Sequence, residues 1–441
     1  MNQQIKSSSL LLAGLCLCCG TSLFAANWPN WRGPNYDGSS DEKNLPAQFS
    51  KTENVKWVAT MPGPSAATPV IWGDHVFMSS TDANAKTLRA LALDRKTGKV
   101  LWDQEVSAGY NQDHMSTFSA PSPITDGQLV YFYYGNGALA AFDFAGKKIW
   151  ARNIQQDYGD FAYQWTYSAS PALVEGKLII QVLQRNQPVH GKGRADGESY
   201  LLALDLKTGK ELWKHVRPSE AKAESLESFA TPIPFTYEGK VQLLVAGGDC
   251  ITGHDLKSGE ELWRWGTWNP TRIGHWRLVP SPVAGGGAVL ACAPKGAPIY
   301  AVKQGGKGVL KDSDLAWTSK EREVSSDVCT PLFYKGRFYV VNGERSTKTI
   351  SRVDPATGKA DWIGELGPRA KIECSPMGVD DKIYFQNFKG EVFVVAAGPE
   401  FKVLHTTPMG DDGDDKLRAA IAVSQGNLFL RTGSKLYCIG K

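Results

Sequence analysis

Tryptophan returns along this chain at Trp57, Trp102, Trp150, Trp213, Trp263, Trp317 and Trp362, with gaps of 45, 48, 63, 50, 54 and 45 residues. Such a period means an array of like supersecondary units, each unable to bury its own faces alone. An eighth position falls near Leu404, where the tryptophan is lost. Each unit opens on a small residue and a proline: Thr68-Pro69, Ser122-Pro123, Ser170-Pro171, Thr231-Pro232, Ser281-Pro282, Thr330-Pro331 and Ser375-Pro376. An apolar strand follows, then a turn such as Asp126-Gly127, Glu175-Gly176 or Lys335-Gly336, then a second strand rich in Val, Tyr and Phe. A third strand ends in Asp, and a glycine turn leads to the tryptophan. The clearest copies are Leu91-Ala92-Leu93-Asp94 with Thr97-Gly98 before Trp102, and Leu202-Ala203-Leu204-Asp205 with Thr208-Gly209 before Trp213. An Asp side chain can accept from backbone N–H groups two or three residues on, and Gly supplies a positive φ.

Four short strands per unit are what a propeller blade requires. A helical solenoid fits the period, but the units are rich in β-branched and aromatic residues and lack helical apolar spacing. The expected fold is therefore all-β, an eight-bladed β-propeller of four-stranded antiparallel blades. The last unit has room for three strands, at 419–424, 427–431 and 435–439. Its fourth is missing there, while Asn54–Val58 reads as an orphan outer strand ending at Trp57. The N-terminal strand is expected to close the last blade.

The organisation read from the sequence is a signal peptide over 1–26, a leader over 27–53 and the propeller over 54–441. Lys6 supplies a basic start, Leu10 to Cys19 is apolar but too short to span a bilayer, and small residues lead to Ala25 and Ala26. The expectation is an exported protein, periplasmic or envelope-associated, with no transmembrane segment in the mature chain. A formal net charge of +4 with no basic run argues against nucleic acid as a partner. Five cysteines follow the signal, Cys250, Cys292, Cys329, Cys374 and Cys438, and none forms a Cys-x-x-Cys pair. They suggest small buried side chains rather than a disulfide framework or a zinc site.

The Asp-x-x-Thr-Gly-x-x-x-Trp segment resembles the tryptophan-docking motif of the pyrroloquinoline-quinone-like (PQQ-like) propeller repeats, over about Asn54 to Lys441. The leader Asn27-Trp28-Pro29-Asn30-Trp31-Arg32-Gly33-Pro34-Asn35 is similar to that of secreted bacterial propellers of this family, most without an assigned activity. The resemblance implies a structural role for Trp57, Trp102, Trp150, Trp213, Trp263, Trp317 and Trp362, docked between neighbouring blades. It also implies a choice of branch. Quinoprotein dehydrogenases hold PQQ and calcium on the propeller axis and show a vicinal Cys–Cys pair, whereas the only adjacent cysteines here are Cys18-Cys19 in the signal. The BamB-type scaffold of outer-membrane assembly is not an enzyme, but it needs a lipidated cysteine whose approach sequence is missing here.

No phosphate loop, nucleophile elbow or metal-spaced histidine set is present, so the sequence offers no catalytic residues, no metal site and no cofactor of its own. His114 and His275 read as surface or turn residues, and Asp411-Asp412-Gly413-Asp414-Asp415 as a solvated loop lacking the ligand pattern of an EF-hand. In a propeller, residues just before each innermost strand gather around the channel mouth. Counting back from each Ser/Thr-Pro selects Trp165, Tyr167, Glu227, Trp276, Arg277, Asp327 and Glu373, and the alignment of the last unit places Arg418 opposite Glu373. Aromatic platforms with mixed charge suit a small polar ligand or a partner's loop. The insert at 184–199, with Arg185, His190, Lys192 and Arg194 among glycines, is the longest excursion. The leading expectation is a non-enzymatic binding or scaffold propeller of the bacterial envelope, with an envelope protein or small polar ligand as partner. The alternatives are a PQQ- and calcium-dependent oxidoreductase and a carbohydrate-binding or processing propeller.

Overall fold

A computed structural model of the chain describes residues 27–441, and the expected signal, residues 1–26, lies outside them. Eight antiparallel four-stranded sheets follow one another around a ring. Blade one consists of Val70–Trp72, His75–Asp82, Thr87–Asp94 and Val100–Ala108, ordered from the axis outward. Blades two to seven repeat that order, with innermost strands at Ile124–Thr125, Ala172–Val174, Ile233–Tyr237, Val283–Gly285, Leu332–Tyr334 and Met377–Val379. Blade eight has Ala422–Ser424, Asn427–Arg431 and Lys435–Gly440, and its outer strand is Val55–Thr60, with Trp57 opposite Cys438. The closure read from the sequence is therefore the closure observed.

The repeated residues explain the blade. The innermost strands are short edges, where a preceding proline removes no ladder bond. Glu175 and Gly176 both have positive φ, 43° and 74°, as a two-residue type I′ hairpin requires. At the outer hairpin Asp94 Oδ1 accepts from Thr97 N at 2.8 Å and from Thr97 Oγ1 at 2.8 Å. The Thr97 hydroxyl holds that carboxyl below its usual range. Asp205 repeats the arrangement with Thr208.

The ring is held together at its rim and at its axis. At the rim, Trp57, Trp102, Trp150, Trp213, Trp317 and Trp362 each donate Nε1 to a backbone carbonyl of the next blade, at 2.7–3.2 Å. Trp57, Trp102, Trp263 and Trp317 are buried, while Trp150, Trp213 and Trp362 are half-buried. Trp263 departs from the pattern and donates to Gln242 Oε1 of its own blade. The cause lies in blade five, whose outer hairpin carries Lys303-Gln304-Gly305-Gly306 in place of Asp-x-x-Thr-Gly. That longer connection adds a fifth strand, Gly308–Val309, running parallel to Trp263 and Arg264.

At the axis, the small residue before each proline accepts a hydrogen bond from the backbone of its neighbour. Thr68 N donates to Ser122 Oγ, Ser122 N to Ser170, Ser170 N to Thr231, Thr231 N to Ser281, Ser281 N to Thr330 and Thr330 N to Ser375, at 2.8–3.1 Å. Ala420 N returns to Thr68 Oγ1 at 3.3 Å. This collar has seven links, and the eighth is missing because blade eight carries Ala420 where the others carry a hydroxyl.

Candidate functional site

The axial channel is built in layers two residues apart, because alternation along an extended strand returns every second side chain to the same face. The collar hydroxyls form one layer. Two residues before them come Ala66, Ala120, Ser168, Phe229, Val279, Val328, Glu373 and Arg418, one from each blade, and all line a cavity of about 150 Å³. Six of the eight are small or apolar. The remaining two pair as the sequence alignment required, with Arg418 Nε 2.5 Å from Glu373 Oε2. Glu373 is nearly buried, and the Arg418 guanidinium also stands 4.6 Å from the Phe388 ring centroid.

Below the collar the leader closes the channel. Trp28 exchanges backbone hydrogen bonds with Ile71 of blade one at 2.9 Å, and Pro29 O accepts from Thr125 N of blade two. Arg32 lies on the far side of the ring, donating to Pro331 O at 2.7 Å and Pro376 O at 2.9 Å in blades six and seven, and to Asp37 O at 2.8 Å. The leader thus crosses the axis. Arg32 is 1% exposed, and burial lowers its pKa to about 10, so it stays cationic at neutral pH. The guanidinium is packed against Gly38, where a Cβ would fall 2.4 Å from its carbon and where φ is +85°. Trp31 lines the cavity from this side. The channel is therefore a pocket with one open end.

Of the residues selected from the sequence, Trp165, Arg277, Glu373 and Arg418 line this pocket. Trp165 donates to Glu224 Oε1 at 3.3 Å, and Arg277 Nε stands 3.6 Å from the same oxygen. The other four do not line it. Tyr167 is 2% exposed and donates its hydroxyl to Gln181 O, in a core with Tyr133, Phe161 and Tyr163. Asp327 accepts from Lys295 N at 2.9 Å on the upper rim. Both lie three residues before the collar, an odd spacing that turns a side chain away from the axis. Glu227 is fully buried beneath the funnel wall, 2.5 Å from Arg185 Nε and accepting from Gln164 N with both oxygens. Burial pushes its carboxyl up to about 7 against the attraction of Arg185. Trp276 is half-buried, and its backbone N–H donates to Ser225 Oγ.

Two contributors went unread in the sequence. The collar was visible as a recurring Ser or Thr, and its invariant place in the repeat was the signal. Trp31 belongs to no repeat and gave none. The acidic loop is structural: Asp411 Oδ2 accepts from Thr432 Oγ1, Ser434 N and Ser434 Oγ, tying blade seven to the last hairpin. The five described cysteines are all buried and free.

Fold and site together define an eight-bladed propeller of the PQQ-like kind, with an axial pocket floored by its own leader. The chain belongs to the family described as outer membrane protein assembly factor BamB, whose model matches residues 40–188 and 160–324. It is similar to a tetrathionate hydrolase of Acidithiobacillus ferrooxidans, 23% identical over 331 residues, covering 75% of this chain and 51% of that one. The chain thus spans about half the length of that relative. Among solved structures it resembles a quinohemoprotein alcohol dehydrogenase from Comamonas testosteroni, with a TM-score of 0.63 at 15% identity, covering 94% of this chain and 81% of that one. It also resembles BamB from Moraxella catarrhalis, with a TM-score of 0.59 at 11% identity, covering 88% of this chain and 97% of that one. These two likenesses show the shared fold.

Proposed function

We propose that this chain is a non-catalytic binding propeller of the bacterial envelope, and that its axial pocket receives a small ligand or the tip of a partner's loop. The observation that carries this reading is the closed end. A through-channel offers only a wall, whereas the leader and Trp31 turn the wall into a cup with an apolar ring, a hydroxyl collar and one ion pair. Largely apolar pockets with a few placed polar groups are the usual form of small-molecule sites. The collar hydroxyls accept from backbone N–H groups, which leaves their protons available to a ligand's oxygen or nitrogen acceptors.

The residues present do not fit a calcium-held quinone. A calcium ion takes six to eight oxygen ligands, typically several from carboxylates. Here Glu373 is engaged by Arg418 and Lys371, Glu227 by Arg185, and Asp327 by the Lys295 backbone. No two of the described cysteines are adjacent in sequence.

The test is native mass spectrometry of the chain recovered from envelope extract, beside a Val279→Trp variant that fills the apolar ring. A bound mass present in the native chain and lost in the variant, with the melting temperature kept, supports the proposal. Equal bound mass in both, or none in either, refutes it. Addition of PQQ with calcium is expected to leave no quinone absorbance on the protein.

A further inference from the structure

Beside the axial pocket lies a second concavity of about 330 Å³, between the loop at 111–118 and the blade-three insert at 184–199. Trp165 and Thr166 line both cavities, so the two adjoin. We infer that this groove is a binding site for a chain of neutral sugar rings, stacked on Trp165 and Phe118 and held by the side chains of Gln155, Asn111 and Lys192.

The wall is built and not a chance gap between loops. The root of the insert is fixed where Arg185 meets the buried Glu227 at 2.5 Å, and Arg185 N donates to Ala162 O at 3.1 Å. Its tip is a tight turn in which Val189 and Lys192 exchange backbone hydrogen bonds at 2.8 and 2.9 Å. Gln164 Nε2 lies 2.9 Å from His190 Nε2 and ties that tip back to the funnel wall. On the opposite side Asp113 Oδ2 accepts from Thr166 N and Thr166 Oγ1 at 2.6 and 2.7 Å. Phe118 and Trp165 are both half-buried and both line the groove.

The chemistry of the lining selects the ligand. An extended peptide would be recognised chiefly through main-chain hydrogen bonds. Several of the backbone N–H groups lining this groove already have partners within the protein, Gly135 on Phe118 O, Phe161 on Gln155 Oε1, Gln164 on Glu227, Thr166 on Asp113, and Val189 and Lys192 on each other, which thins the main-chain contacts a peptide could make. The unpartnered side chains of the lining carry the recognition proposed for it. Among the described residues, Gln155 Nε2, Asn111 Oδ1 and Lys192 Nζ have no partner, giving one amide donor, one amide acceptor and one ammonium. Planar amides beside half-buried aromatic side chains match a pyranose, which offers an apolar C–H face and a rim of hydroxyls that both donate and accept. The only carboxylate in the lining, Asp113, is engaged internally, so the groove does not call for a cationic ligand. The groove extends the axial site but does not depend on it.

The experiment is isothermal titration of the full mature chain with cellohexaose, maltohexaose, xylohexaose and chitohexaose, and with a pool of random decapeptides. At least one hexaose is expected to bind. Gln155→Glu, which keeps the acceptor of Phe161 N and removes the amide donor, and Lys192→Ala are each expected to weaken that binding about tenfold, with melting temperatures unchanged and with the mass bound on the axis unchanged. That second readout separates failure of the groove from failure of the axial reading. No hexaose binding at millimolar concentration, binding undiminished by both substitutions, or binding of the peptides alone would overturn the inference.

Discussion

The collar makes a prediction that the rest of the family pattern does not. Ala420 occupies the position at which the other seven blades carry a hydroxyl, and among the described residues Ser375 N has no acceptor. In Ala420→Ser the new Oγ stands where Ser375 Oγ stands for Thr330 N, at about 3.0 Å from the donor. A net intramolecular hydrogen bond contributes about 1 kcal/mol. The added hydroxyl would lie at the cavity lined by Ala420, where its proton can point into the pocket. The complementary change, Ser122→Ala, removes the acceptor of Thr68 N and should cost about 1–3 kcal/mol, because a donor is left unpaired. For a chain of this size 1 kcal/mol moves the melting temperature by about 1–2 °C. Reversible urea unfolding followed by tryptophan emission would read both. If Ala420→Ser fails to stabilise and Ser122→Ala costs nothing, the collar carries no stability. The recurring hydroxyl would then need another explanation.

Other outcomes follow from the same structure. Arg32→Ala leaves three carbonyl acceptors without their cation and should cost about 3 kcal/mol or more in urea unfolding; a cost under about 1 kcal/mol would mean that the leader merely lies against the ring. Trp102→Ala, at a buried position that bonds Phe144 O of the next blade, should cost about 3–5 kcal/mol, and calorimetry showing a loss within the range of surface substitutions would refute its packing. Glu227 is raised in the folded state to about 7 from a value of 4.5, so its contribution to stability is fully present below 4.5 and is lost as pH rises through about 7. Melting temperatures between about pH 5 and pH 8 should therefore fall more steeply for the native chain than for Glu227→Gln; parallel profiles would show that Arg185 keeps the carboxylate ionised throughout.

The ring and its closure were legible because the repeat carries its own physics. Asp, Thr and Gly demand one hairpin, Pro demands an edge, and a missing strand at one end matches a spare strand at the other. The mouth was only half legible. Glu373 and Arg418 were placed by counting from a fixed point in the repeat, and the strand keeps that count. Tyr167 was chosen at an odd spacing from the collar, which turns its side chain away from the axis, and Glu227 from a loop where spacing no longer sets direction; both proved to be core residues. The leader's task could not be read at all. Its partners, Pro331 O and Pro376 O, lie about 300 residues away or more and are backbone atoms that no residue type announces.

The last blade joins Val55–Thr60 to Lys435–Gly440, so the two halves of one sheet are separated by nearly the whole polypeptide. Blades one to seven pair strands that are neighbours in sequence and can form as each segment becomes available. The eighth cannot begin until the far end arrives, and bringing two such distant segments together costs about 5 kcal/mol of chain entropy. Until then the Val55–Thr60 strand has no partner, and the two terminal blades present unprotected faces to each other across a gap. The seam in blade eight is therefore both the final step of assembly and the place where the circle first parts under strain. A chaperone or protease that meets this molecule before the seam closes would encounter it as an open horseshoe with a loose leading edge.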